Sequence, residues 1–220
     1  DAKTFGTSSI MIGDNATGTI DAANYNVGLG IDVFASLTTG DYNTAIGHSS
    51  LNVNTTGERN TAVGPWTLDA NVDGNYNTAI GYAALTGNTS ADNNTAIGYE
   101  AMLVNTTGYD NVAVGRRALD ANTTGHSNTS VGESSLTSNT EGDRNVAIGQ
   151  NAMASNTTGS ENVAIGRNAL DANTTASENV AVGDGALTAC TTGAGNVAIG
   201  HSAGAAIDTG SGNVCIGENA

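Results

Sequence analysis

Polar and apolar positions along this chain recur with a period of 17, far longer than the period of a helix or a strand. Residues 77–93 read NTAIGYAALTGNTSADN, and residues 94–110 read NTAIGYEAMLVNTTGYD. The opening Asn falls at 26, 43, 60 and onward to 213, twelve starts without insertion or deletion. The unit is N-[TV]-A-[IV]-G-x-x-A-L-x-x-N-T-T-G-x-x, with positions counted 1 to 17 from that Asn. A weaker unit, SIMIGDNATGTIDAANY, fills 9–25 in the same phase, and the last unit stops at its eighth position. Residues 1–25 are therefore an irregular segment with one degenerate coil, and 26–220 form the repeat region. Such self-similarity is the signature of a repeat architecture.

Each NVAIG or NTAIG is a short β-branched run stopped by Gly, which predicts a strand. The NTTG tract predicts a turn, since Gly tolerates φ > 0 and Asn bonds its own backbone. Seventeen residues are too few for the helix pairs of the common α-repeats. The prediction is all-β: a parallel β-solenoid or β-roll of 17-residue coils. At about 4.8 Å per coil, twelve coils would make a rod about 55 Å long.

Strand parity separates two faces. Positions 2 and 4 carry Thr/Val and Ile/Val, as in Val146 with Ile148; position 3 is nearly always Ala, as in Ala45 and Ala62. No charge occurs at positions 1–5 of any unit. A half-exposed strand alternates apolar and polar residues, so burial of both faces is expected. One face would meet the position-9 Leu residues inside the coil. The other, expected to be the small-residue face at position 3, would be an interchain seam. This predicts a homotrimer. The position-1 Asn residues (Asn43, Asn60, Asn77, Asn94, Asn111, Asn128, Asn145, Asn162, Asn179 and Asn196) and those at position 12 would stack as amide ladders.

Composition changes the picture in one respect. Aromatics are 4% and charged residues 12%, too few bulky groups for a rounded core. The net charge of −15 makes nucleic acid and anionic membrane surfaces poor partners. No run approaches the roughly 20 apolar residues of a membrane span, so no membrane insertion is expected. Opening at Asp1 without a Met, the sequence reads as a processed form or a segment of something longer. Cys190 and Cys215 have no motif spacing and do not fix the redox compartment.

The NVAIG and NTAIG strands, each followed by a Gly-rich turn, resemble the head repeats of trimeric autotransporter adhesins. The whole unit, as in NTAIGYEAMLVNTTGYD, resembles the tandem repeats of bacteriophage tail-fibre and bacterial fibre proteins. The resemblance spans 26–220. It implies a left-handed parallel β-roll that associates as a trimer, and an extracellular, cell-surface or virion location. Adhesin head units are shorter than 17 residues, so the extra length would enter an outer loop or a different coil section.

Candidate chemistry is sparse. His48 and His201 share position 6 nine units apart, and His126 is at position 16, which sets up no nucleophile and base. Asp69, Asp120 and Asp171 share position 10 at every third unit, too far apart to pair. No enzymatic activity and no cofactor are expected. Loop acids of adjacent units, such as Asp41 and Glu58, are the one calcium candidate, with solvated surface charge the plainer reading. The N-x-T sequences at Asn54, Asn105, Asn122, Asn156 and Asn173 share the phase of the turn, which explains them without sugar.

The aromatic positions are more suggestive. Pro65-Trp66, Tyr82 and Tyr99 stand at positions 6–7 of three consecutive units, so stacked coils would align them on the outside. Such a stripe suits a cell-surface glycan or a receptor, while a cross-strand ladder is the plainer reading. The expected function is a stiff trimeric fibre segment in host or surface attachment. The alternatives are a subunit polymerising head to tail into a filament, and, as a minor one, an ice-binding solenoid. Adjacent Thr-Thr pairs at positions 13 and 14 point to opposite faces and speak against the last.

Overall fold

A computed structural model describes residues 2–3, 10–12 and 23–220. It is an all-β parallel β-solenoid of about 11 coils of about 17 residues, with no helix among the described residues. Of the degenerate coil expected at 9–25, only Ile10–Ile12 and residues 23–25 are described; the rest lies outside the described residues.

The chain forms two compact units, Asp1–Asp110 and Asn111–Ala220. In the first, β1 (Ala2–Lys3) pairs antiparallel with β2 (Ile10–Ile12). From β2, parallel pairing runs through β3 (Val27–Leu29), β4 (Thr44–Ile46), β5 (Thr61–Val63), β6 (Thr78–Ile80) and β7 (Thr95–Ile97). In the second, β8 (Val112–Val114), β9 (Thr129–Val131), β10 (Val146–Ile148) and β11 (Val163–Ile165) pair in sequence order. That series continues through β12 (Val180–Val182), β13 (Val197–Ile199) and β14 (Val214–Ile216). Each residue pairs with the one 17 places on, as Thr61 with Thr78 or Val163 with Val180.

The interior is thin. Ala45, Ala62 and Ala147 at position 3, Ala84 and Ala118 at position 8, and Leu51, Leu85 and Leu170 at position 9 are all fully buried. The buried remainder is amide: the Asn residues of positions 1 and 12. Here the sequence expectation is corrected. The small-residue face is the inside of the coil, not an interchain seam. The β-branched face points outward, with Ile46, Ile80, Ile148 and Ile165 each more than a third exposed. Parity identifies two faces but not their sense, and the side chains buried at position 3 against the position-9 residues are small. Coil 128–144 fits this geometry. Ser130 replaces Ala at position 3, and its hydroxyl meets that of Ser135 at position 8, 2.5 Å away, inside the coil.

Local conformation explains what each position accepts. The position-9 residues lie in the left-handed region, with φ of 48° at Leu51, 56° at Leu85 and 54° at Met102. Leu, Met and Phe are unbranched at Cβ and reach that region at modest cost, whereas Ile and Val would be outliers there. Position 4, in the strand, takes the Ile and Val instead. Gly47 at position 5 has φ 132°, and a Cβ there would lie 2.5 Å from the Gly64 carbonyl of the next coil. Only glycine serves at that corner.

Candidate functional site

The Asn ladder predicted from sequence lies inside each unit. In the first, the backbone N–H groups of Asn43, Asn60, Asn77 and Asn94 each donate to the side-chain oxygen of the Asn one coil earlier, at 2.8–2.9 Å. In the second, Asn128, Asn145, Asn162, Asn179 and Asn196 do the same at 2.9–3.0 Å, the first of them to Asn111. The carboxamide nitrogens cross the coil to the turn: Asn43 Nδ2 donates to the Gly57 carbonyl and Asn111 Nδ2 to that of Gly125, both at 2.9 Å. A second ladder joins position-12 residues, with Asn71 Nδ2 donating to Asn54 Oδ1 at 2.8 Å. These amides are fully buried, so each bond satisfies a group that water cannot reach. They are structural parts.

The ring residues expected on the outside, Trp66, Tyr82 and Tyr99, form a rail, and His48 extends it by one coil. His48 and Trp66 have centroids 5.4 Å apart at 67°, Trp66 and Tyr82 5.3 Å apart at 74°, and Tyr82 and Tyr99 5.1 Å apart at 9°. A second rail, missed in the sequence, runs along position 17. Tyr25 stacks on Tyr42 at 4.8 Å, and the Arg59 guanidinium sits 5.2 Å from the Tyr42 ring and 5.3 Å from that of Tyr76. Its signal was the period rather than the residue type, since the series reads Tyr, Tyr, Arg, Tyr. The two rails flank the outward strand face of the first unit. A shallow cavity of about 290 Å³ opens nearby, lined by Ser90, Ala91, Asp92, Asn93, Thr107 and Tyr109.

The outside of the second unit is charged instead. Arg116 pairs with Glu133, Arg144 Nη2 lies 2.7 Å from Glu161, and Arg167 Nη2 lies 2.9 Å from Asp184. Each partner is 17 residues away. Asp184 raises the pKa of Arg167 by its hydrogen bond and its charge. Exposed pairs of this kind contribute little stability.

Coil stacking also brings together groups that sequence spacing kept apart. His126 Nε2 lies 3.3 Å from Asp143, and its Nδ1 lies 3.3 Å from the Ser127 hydroxyl. His48 stands 4.0 Å from Asp32 and 3.1 Å from Ser49 Oγ. Both clusters lie on loops, with the serine adjacent to its histidine in sequence. Of the calcium candidates, Asp41 Oδ1 accepts from the Asn24 N–H at 2.6 Å, and Glu58 lies 2.6 Å from Arg59. No group of three or more potential metal ligands occurs among the described residues. Nor is any helix there long and apolar enough to cross a membrane.

Buried ladders and an outward β-branched strand face, flanked by rails in the first unit, define a parallel β-solenoid with a decorated exterior. Compared with protein-family models, with curated proteins and with solved structures, the chain matches none.

Proposed function

We propose that this chain is a structural fibre segment, extracellular or virion-borne, that acts in host or surface attachment as a stiff homotrimer. One observation carries the reading. The outward strand face carries only Val, Ile, Leu and Thr, and is charge-free and continuous within each unit, on a chain whose net charge is −15. In the second unit this face is Val146/Ile148, Val163/Ile165, Val180/Val182 and Val197/Ile199, laid strand on strand. Exposed apolar patches of this extent mark interaction surfaces. Another copy of the same face offers the same spacing and the same absence of charge. The acidic loops elsewhere keep assembled segments soluble and apart.

The solution mass by light scattering, followed on dilution, tests this. A concentration-independent trimer supports the fibre segment. A monomer overturns it, and a broad distribution of long assemblies favours the head-to-tail filament.

A second reading has one specific observation in its favour. Thr44, Thr61, Thr78 and Thr95 pair in register along the outward face of the first unit, each two residues before Ile46, Val63, Ile80 or Ile97. This regular Thr-x-Ile array differs from the position-13 threonines, whose hydroxyls bond the next coil, as Thr38 Oγ1 does to the Thr55 carbonyl at 2.9 Å. An ice-binding solenoid would use a flat, regular threonine array, here with one Thr rather than two per strand, and thermal hysteresis at millimolar protein would reveal it.

A further inference from the structure

The two units are alike inside and unlike outside. All six tyrosines and the single tryptophan of the chain fall between residues 25 and 109. Every one of them is exposed, from 39% at Trp66 to 54% at Tyr76. Tyr and Trp ordinarily bury most of their surface, so seven exposed rings in one unit need a reason beyond packing.

Most of the rings already use their faces on each other. Tyr25 and Tyr42 are parallel, as are Tyr82 and Tyr99, and Arg59 fills the gap between Tyr42 and Tyr76. Trp66 is different. Pro65 occupies position 6, so the ring arises from position 7, at φ 56°. Tyr82 lies parallel to Tyr99 across the stack, and Trp66 is turned 74° from Tyr82. The indole therefore stands out of the parallel Tyr82–Tyr99 stack, and at 39% exposure it presents part of its surface to solvent. His48 on its other side is turned by 67°, so neither neighbouring ring lies parallel on the indole.

We propose that His48, Trp66, Tyr82 and Tyr99 form a binding track for a neutral polysaccharide, with the exposed indole of Trp66 as its platform. The chemistry selects the ligand. A polyanion is disfavoured by the net charge of −15, and Arg59, the one arginine of the first unit, already lies 2.6 Å from Glu58. A purely apolar ligand would strand the phenol hydroxyls, the indole N–H and the imidazole. A pyranose ring presents a flat C–H face for stacking and a rim of hydroxyls for those groups. Coils rise by about 4.8 Å, so a linear chain lying along the rail meets successive rings in turn. The track lies beside the aliphatic strand face and rests on its own geometry, so it stands or falls independently of the fibre reading.

The single tryptophan makes the site directly observable. Cellohexaose and chitohexaose are titrated against the full chain while Trp66 emission is followed, with heparin hexasaccharide as the polyanion. The expected result is a saturable shift with at least one neutral hexasaccharide and none with heparin. Calorimetry on folded Tyr82→Ala should show affinity lower by about tenfold or more, with Tyr82→Phe near wild type and Tyr76→Ala, on the other rail, unchanged. Three results overturn the assignment: no saturable response to either neutral hexasaccharide at millimolar concentration, equal affinity in Tyr82→Ala, or a Trp66 shift on diluting the chain alone, which would mean that a second copy covers the indole. Light scattering on the same samples reports self-association separately.

Discussion

Asn173 Oδ1 is buried without a hydrogen-bond partner, and the residue one coil further on is Cys190 rather than Asn. Elsewhere along this ladder the next Asn supplies the donor, as Asn173 Nδ2 does for Asn156 Oδ1 at 2.7 Å. The Cys190 thiol turns instead to the Gly193 carbonyl, 3.3 Å away. Burial also raises the thiol pKa, so the group is a neutral filler.

Cys190→Asn should therefore stabilise the chain by about 1 kcal/mol, because a buried acceptor regains its donor. The new amide oxygen would then face the coil of half-buried Ile207, nearer to solvent. Cys190→Ala, which supplies no donor and removes volume, should destabilise. Urea unfolding of the three proteins checks this, and a midpoint for Cys190→Asn below wild type would refute the ladder account.

Leu136 tests the left-handed position. Its φ is 48° and its side chain is fully buried. Leu136→Ile conserves volume, yet should cost about 2 kcal/mol through backbone strain. Ile148→Leu in the strand, the converse exchange, should be nearly neutral. Equal midpoints for the two variants would remove the conformational explanation of position 9.

Asp69 carries a pH dependence. Its Oδ1 is buried without a partner, and Thr86, one coil on, donates instead to the Trp66 carbonyl at 2.8 Å. Burial raises the carboxyl pKa, opposed by backbone hydrogen bonds from Asp69 and Ala70. A raised acid favours the fold when protonated. Its contribution is complete below the ordinary carboxylate range and is lost as pH rises through the folded-state value. Asp69→Asn should thus melt higher than wild type at pH 7, and the gap should close on acidification. A gap that widens toward low pH would have the wrong sign.

The outward aliphatic face gives a test of association separate from folding. Ile165 is 38% exposed in the single chain, so Ile165→Asp should leave the β-signal in circular dichroism unchanged. Buried in a seam, the same charge should raise the dissociation constant about a hundredfold or more. Unchanged mass in light scattering would move the seam elsewhere.

The sequence made some of this legible and not the rest, for reasons visible at single residues. The strands and both amide ladders follow from period and residue type, because Asn at positions 1 and 12 hardly varies. The sense of the faces did not follow. Hydrophobicity alone places Ile46 inside and leaves Ala45 indifferent, whereas Ala45 is fully buried and Ile46 exposed. The deciding quantity is the narrow space beside Leu51, which no single residue reports. The position-17 rail and the contact of His126 with Asp143 were hidden because their members differ in type and share only their spacing.

That spacing gives each unit the character of a one-dimensional crystal, with coils for lattice planes. A single missing residue would act as a dislocation, spoiling one plane while both flanks stay in phase with themselves. Loss or duplication of 17 residues would remove or add a whole plane and leave no defect. Repeat regions among chains of this kind should then differ in length by whole coils, in steps of 17 residues.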